Sequence, residues 1–165
     1  MSENFLVKLF EHNNWANQQI IQACSALNDE QLDSEPNSAT IGSIRRTLVH
    51  LVSAQQGYLS LLTLPVAARK RVSVPFAELE ESARRSGEGL LALARNESSN
   101  QLDSQLQTTD GYYVDSWVVM VQIINHATEH REQINSMLSA LGITPPSLDG
   151  WSYGEATNAL MPISS

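Results

Sequence analysis

The stretch "NHATEHREQINSMLSALG", Asn125–Gly142, carries two signals at once. Ile134, Met137, Leu138 and Leu141 recur at spacings of three and four, the period of a helix with one apolar face. Upstream, Trp117, Val121 and Ile124 extend that stripe, with Asp115 or Ser116 placed to cap it. Gly142 and the Pro145-Pro146 pair just beyond end it, since glycine accepts the left-handed cap and proline cannot continue a helix. The second signal is His126 and His130. Four residues apart on a helix, they differ by about 40° in azimuth and about 6 Å along the axis, so both rings can meet at one point.

The rest of the chain predicts partners for this helix. From Glu3 to Leu27, residues Phe5, Leu6, Leu9, Phe10, Trp15, Ile20, Ile21, Cys24 and Leu27 mark a first amphipathic helix. The cluster "NDEQLDSEPNSATIG" reads as a loop with room for one helical turn, and Ser43 or Thr40 can cap the second long helix. Ile44, Leu48, Leu51, Tyr58, Leu59 and Leu62 form its stripe, which stops at Pro65. After the crossover "PVAARKRVSVP", a third pattern runs from Phe76 to about Asn96, weakened by Gly87 and Gly89. Between Leu102 and Val114 the period changes, and Asp110-Gly111 predicts the turn of a small β-hairpin. One further helical turn is expected near Ala156–Leu160. Four long helices, one extended crossover and a minor hairpin predict an all-α four-helix bundle, a single domain over 1–165.

Composition narrows the function. Eighteen acidic against ten basic residues give a net charge of −8, and the only basic block is the short "ARKRV", so nucleic acid and anionic membranes are poor partners. The N-terminus lacks a basic start followed by an apolar run, and no window approaches a membrane span, which points to the cytosol. One cysteine, Cys24, excludes an internal disulfide and a cysteine-rich metal site, and reads as a small buried residue.

The four histidines bear the chemistry. An H-x-x-x-H pair alone also arises on ordinary helix surfaces, so a third ligand matters. His50, in "TLVHLVSAQ", has small neighbours in Thr47, Ser53, Ala54 and Gly57 that leave room around its ring. Taken alone it reads more readily as a core histidine satisfied by hydrogen bonds than as a ligand. With His126 and His130 it would complete a three-imidazole set that holds a zinc-like or nickel-like ion and leaves a position for water. His12, near Trp15, is a spare ligand or a surface residue. "HATEH" lacks the glutamate that comes after the first histidine in H-E-x-x-H proteases, and Glu129 points about 100° from His130. The inward Glu-x-x-His pattern of di-iron bundles is also missing, so one metal is expected, not two. Tyr58, Trp117 and Trp151 are candidate pocket residues, although aromatic residues at helical spacing are more often plain core.

With these blocks in order, "NNWANQQII", "LVHLVSAQ", "NHATEHREQINSMLSALG" and "PPSLDGWSY", the chain resembles the DinB family, also called DinB/YfiT-like metalloenzymes. The resemblance implies an up-down-down-up bundle, often a homodimer, with nickel or zinc held by His50, His126 and His130. It also implies transferases and isomerases that use low-molecular-weight thiols; an ion that activates water or a thiol leads to the expectation of a hydrolase or thiol transferase acting on a small molecule. Gln55 stands where many relatives carry Glu, and His12 where an aromatic is common. The competing expectation is a non-catalytic bundle that binds a metal or small ligand.

Overall fold

A computed structural model describes residues 4–36, 41–95 and 105–163. Its elements in chain order are α1 (Phe5–Ser25), α2 (Asp29–Asp33), α3 (Ile44–Thr63), α4 (Leu79–Arg95), β1 (Gln105–Gln107), β2 (Tyr113–Asp115), α5 (Ser116–Ala140) and α6 (Gly150–Ala156). Two short 3₁₀ turns form here, Val66–Ala68 within the crossover and Phe76–Glu78 at its end. Thr40 and Leu102, expected as a cap and a strand residue, lie outside the described residues.

Local chemistry sets the helix ends. Asn4 caps α1 by accepting from Leu6 and Val7, and Asn28 with Gln31 forms a reciprocal capping box on α2. Ser43 accepts from the Arg46 amide to start α3. Asp115 sits at the N-cap of α5 but makes no side-chain cap bond. At the other end Gly142 takes φ +73, Ile143 donates to the Leu138 carbonyl and Gly142 to that of Ser139, which satisfies the last turn of α5.

The four long helices form a bundle in which α1 and α3 each pack against α4 and α5. Directions follow from side-chain pairs. Asn4 reaches Ala94 and Asn14 reaches Gly87, so α1 and α4 are antiparallel. Asn13 and Asn17 meet Arg131 while Leu6 shares a groove with Met120, so α1 and α5 are parallel. Gln55 meets Ala83, and Leu59 lies against Gly89, so α3 and α4 are parallel. The order is therefore up-down-down-up. Parallel neighbours require a connection that returns along the bundle, and residues 64–75, at about 3.3 Å each when extended, are long enough to span a 20-residue helix of about 30 Å. Val74 anchors that return, buried and donating its amide to Ser53 Oγ at 2.9 Å.

The core falls into two apolar clusters. One gathers Ile20, Leu48, Leu51, Ile134, Met137 and Leu138; the other gathers Phe10, Leu90, Val119, Met120 and Ile123. Between them lies a buried polar layer. Arg131 donates to Asn13 Oδ1 at 2.8 Å and Asn17 Oδ1 at 2.6 Å, Asn17 donates to Gln55 Oε1 at 2.8 Å, and Gln55 donates to Ser86 Oγ at 2.7 Å. Every long helix contributes to this layer.

Two expectations are corrected. In the first half of α5 the buried apolar residues are Val119, Met120, Ile123 and Ala127, whereas Trp117 and Val121 are 62% and 51% exposed. The run "WVVMVQII" is apolar on every side, so its period cannot choose a face; the register continues instead from Ile134 backwards in steps of three and four. The tail helix spans Gly150–Ala156 and not Ala156–Leu160, because Asp149 caps it by accepting from the Ser152 amide at 2.8 Å. The hairpin forms as expected, with Leu106 opposite Val114 in an antiparallel pair.

Candidate metal centre

Antiparallel packing of α3 on α5 sets His50 against the turn that carries His126 and His130. Nε2 of His126 lies 3.0 Å from Nε2 of His50 and 3.1 Å from Nε2 of His130. One ligand nitrogen from each ring falls within 4.8 Å of the others. Two nitrogens bound to one ion at about 2.0–2.1 Å, with an angle between tetrahedral and octahedral values, stand about 2.9–3.4 Å apart. Both short separations fall in that range. The all-imidazole donor set suits zinc or nickel better than calcium or magnesium, which prefer oxygen.

Protonation supports the same use. Nδ1 of His130 donates to Gln133 Oε1 at 2.7 Å, so its Nε2 is the nitrogen turned toward the other two rings. Burial, with the neighbouring His130 and His50, pushes His126 down to about 4. Burial and then His130 also lower His50. Among the described residues no carboxylate joins the cluster to oppose these shifts. Imidazole nitrogens that converge in this way are what a cation needs.

Access is graded. His130 is buried at 5% exposure, His126 is half-buried and His50 is exposed, so the cluster opens on the His50 side. Leu51, Ile123 and Ala127 wall it beneath His126, and the Tyr58 ring stands edge-on to His126 at 5.7 Å.

The remaining candidates separate from the centre. His12 Nε2 sits 2.8 Å from the Leu148 carbonyl, and its ring packs on Trp15 and Tyr153, where it fastens the segment before α6 to α1. Cys24 is buried, and burial pushes its thiol up to about 12, in keeping with its reading as a packing residue. Glu129 is exposed and outside the cluster. Of the three aromatic pocket candidates only Tyr58 adjoins the triad; Trp117 borders a groove between α1 and α5, and Trp151 is 73% exposed. Gln55 belongs to the buried polar layer. Gln133 is not singled out by the sequence pattern, although its place three residues after His130 is a usable signal.

An up-down-down-up bundle with three imidazoles gathered between its second and fourth long helices defines a class of histidine-bearing helical bundles. The DinB family model matches residues 1–162, and the chain belongs to the DinB family. It is 28% identical over 152 residues to Protein DinB of Bacillus subtilis (strain 168), covering 84% of this chain and 87% of that one. Among solved structures it resembles a DinB-like protein from Bacillus cereus ATCC 10987, at TM-score 0.66 and 20% identity, over 86% of this chain and 94% of the other. YfiT from Bacillus subtilis also aligns, at TM-score 0.66 and 15% identity, over 87% and 91% of the two chains. That protein is described as a probable metal-dependent hydrolase with an unusual four-helix bundle topology. At these identities the two structures establish the shared fold. Among the described residues no helix is long and apolar enough to cross a membrane.

Proposed function

We propose that this chain is a metal-dependent enzyme whose His50, His126 and His130 hold one zinc or nickel ion, and that it hydrolyses a small molecule or transfers a low-molecular-weight thiol. The observation that carries the proposal is the convergence of three Nε2 atoms, two pairs of them 3.0 and 3.1 Å apart, with one fixed in tautomer by Gln133. The description of YfiT as a probable metal-dependent hydrolase supports the hydrolytic side of the reading.

When bound, such an ion supplies the Lewis acidity that lowers the pKa of a water or thiol toward neutrality. The protein's own part is positional. Gln133 orients His130, the Leu51–Ile123 wall keeps water from the inner side, and the exposed edge of His50 leaves an approach for substrate. Tyr58 narrows that approach from the next turns of α3.

The test is turnover by zinc- and nickel-loaded protein, assayed with thiols plus electrophiles and with ester and amide substrates. Activity that disappears in His50→Ala, His126→Ala and His130→Ala supports catalysis. Metal binding without turnover across the panel favours a non-catalytic metal-binding bundle.

A further inference from the structure

Beside the triad, one turn further along α3, opens a groove of about 810 Å³ floored by Ala54, Gly57 and Tyr58. Ala54 and Gly57 follow His50 at four and seven residues, so they continue its face of the helix. Its far wall is the crossover segment Arg69, Lys70 and Arg71, closed by the hairpin turn at Thr108–Asp110. We propose that this groove is the anion-recognition subsite of the same centre, so that the substrate is a small molecule bearing a carboxylate or phosphate as well as its reacting group. This inference rests on the triad being the metal site.

Two independent features point to a ligand. The first is charge. In a chain of net charge −8, three of ten basic residues stand together here. The cations Arg45, Arg46, Arg84 and Arg95 elsewhere are paired with carboxylates. Arg69 is engaged structurally, donating to the Leu64 and Gln107 carbonyls, which ties the crossover to the hairpin. Lys70 and Arg71 are exposed and, among the described residues, form no ion pair. Asp110 sets one negative charge against three positive ones. The second is Gly57. A glycine inside a helix is destabilising relative to alanine, and the two glycines of α4 have a packing reason: a Cβ at Gly87 would lie 2.6 Å from Asn14 Oδ1, and one at Gly89 2.7 Å from Leu59 Cδ2. A Cβ at Gly57 would meet nothing within 4 Å. Gly57 lines the groove, so its missing side chain leaves the floor open to a molecule lying along it.

Seven residues of helix separate His50 from Gly57 by about 10 Å, which sets the length of the probe. In metal-loaded protein, 6-mercaptohexanoate should bind about fivefold more tightly than 6-mercaptohexanol, with the advantage shrinking as salt is raised. Lys70→Glu/Arg71→Glu should erase the preference and keep the metal content. Gly57→Leu, which fills the floor and favours the helix, should weaken both probes while retaining the metal. On metal-free protein, hexanoate should shift the backbone amide resonances of Gly57, Lys70 and Arg71, and the charge-reversed variant should show no such shifts. Equal affinity for the two thiols, a preference that survives charge reversal, or hexanoate shifts absent or elsewhere would overturn the subsite. Metal content that survives loss of the histidines would instead overturn the triad, and the hexanoate titration would still report on the groove.

Discussion

His130 illustrates how a single contact prepares a ligand. Its Nδ1 proton is committed to Gln133, and this holds the ring plane as well as the tautomer. Gln133→Leu should leave the helix intact and lower metal affinity by about 10–100-fold, measured by competition with a chelating dye. His126 carries a pH dependence. In the folded, metal-free protein its pKa lies at about 4, below the ordinary histidine value. Between about 6.5 and 4 the unfolded chain therefore takes up a proton that the folded one refuses. Stability from this group is complete above that window and is lost as pH falls through it; His50 shifts in the same direction. Urea midpoints of chelator-treated protein should fall from pH 7.5 to 5, and His126→Ala should fall less. Equal falls in both would remove His126 as the cause. The histidines themselves were legible because His126 and His130 repeat at four residues on one helix. His50 was offered as the third ligand by its small neighbours and by the family resemblance, but the turn it faces needed the fold, since nothing in "LVHLV" reports it.

Helix-level reading succeeded where one face alone is apolar and failed where it is not. The stop at Pro65 and the cap at Gly142 act locally, so the ends of α3 and α5 could be read directly. In "WVVMVQII" the face is set by tertiary packing, which periodicity does not report. The glycines of α4 have a packing role that propensity does not report. Intrinsic propensity treats Gly87 as a weakness, but a side chain there would enter the space of Asn14, whose Nδ2 donates to the Gly87 carbonyl at 2.9 Å. Gly87→Ala should thus cost about 1–3 kcal/mol by overpacking and exceed any helix-propensity gain. Urea denaturation showing the variant as stable as the parent would mean that α1 and α4 do not approach this closely.

At the level of the whole molecule, the buried polar layer joins all four long helices at one height, directly beside the turn that carries His130. Arg131 enters it without a carboxylate partner among the described residues, and burial pushes its pKa down to about 10. Sliding one of these helices by a turn would break the bonds of the layer, and in the alignment they join His50 stands opposite His126. None of this was visible in the sequence, because Asn13, Asn17, Gln55 and Arg131 look like ordinary polar positions until four helices bring them together. The outer face adds a prediction about assembly. Phe5, Trp117 and Val121 are 74%, 62% and 51% exposed, beside a groove lined by Leu6, Leu9, Met120 and Ile124. An apolar strip of this kind suits a second copy of the chain. Sedimentation should give a species of about twice the 18.2 kDa chain, reduced to monomer by Trp117→Glu; a parent protein that sediments as a monomer at micromolar concentration contradicts the dimer.

The most direct test of the three-imidazole centre is element analysis of protein purified without a histidine tag. Roughly one zinc or nickel ion per chain is expected, with a marked loss in each of His50→Ala, His126→Ala and His130→Ala. A parent protein that carries no transition metal even after incubation with zinc and nickel, or variants that retain as much as the parent, would contradict it.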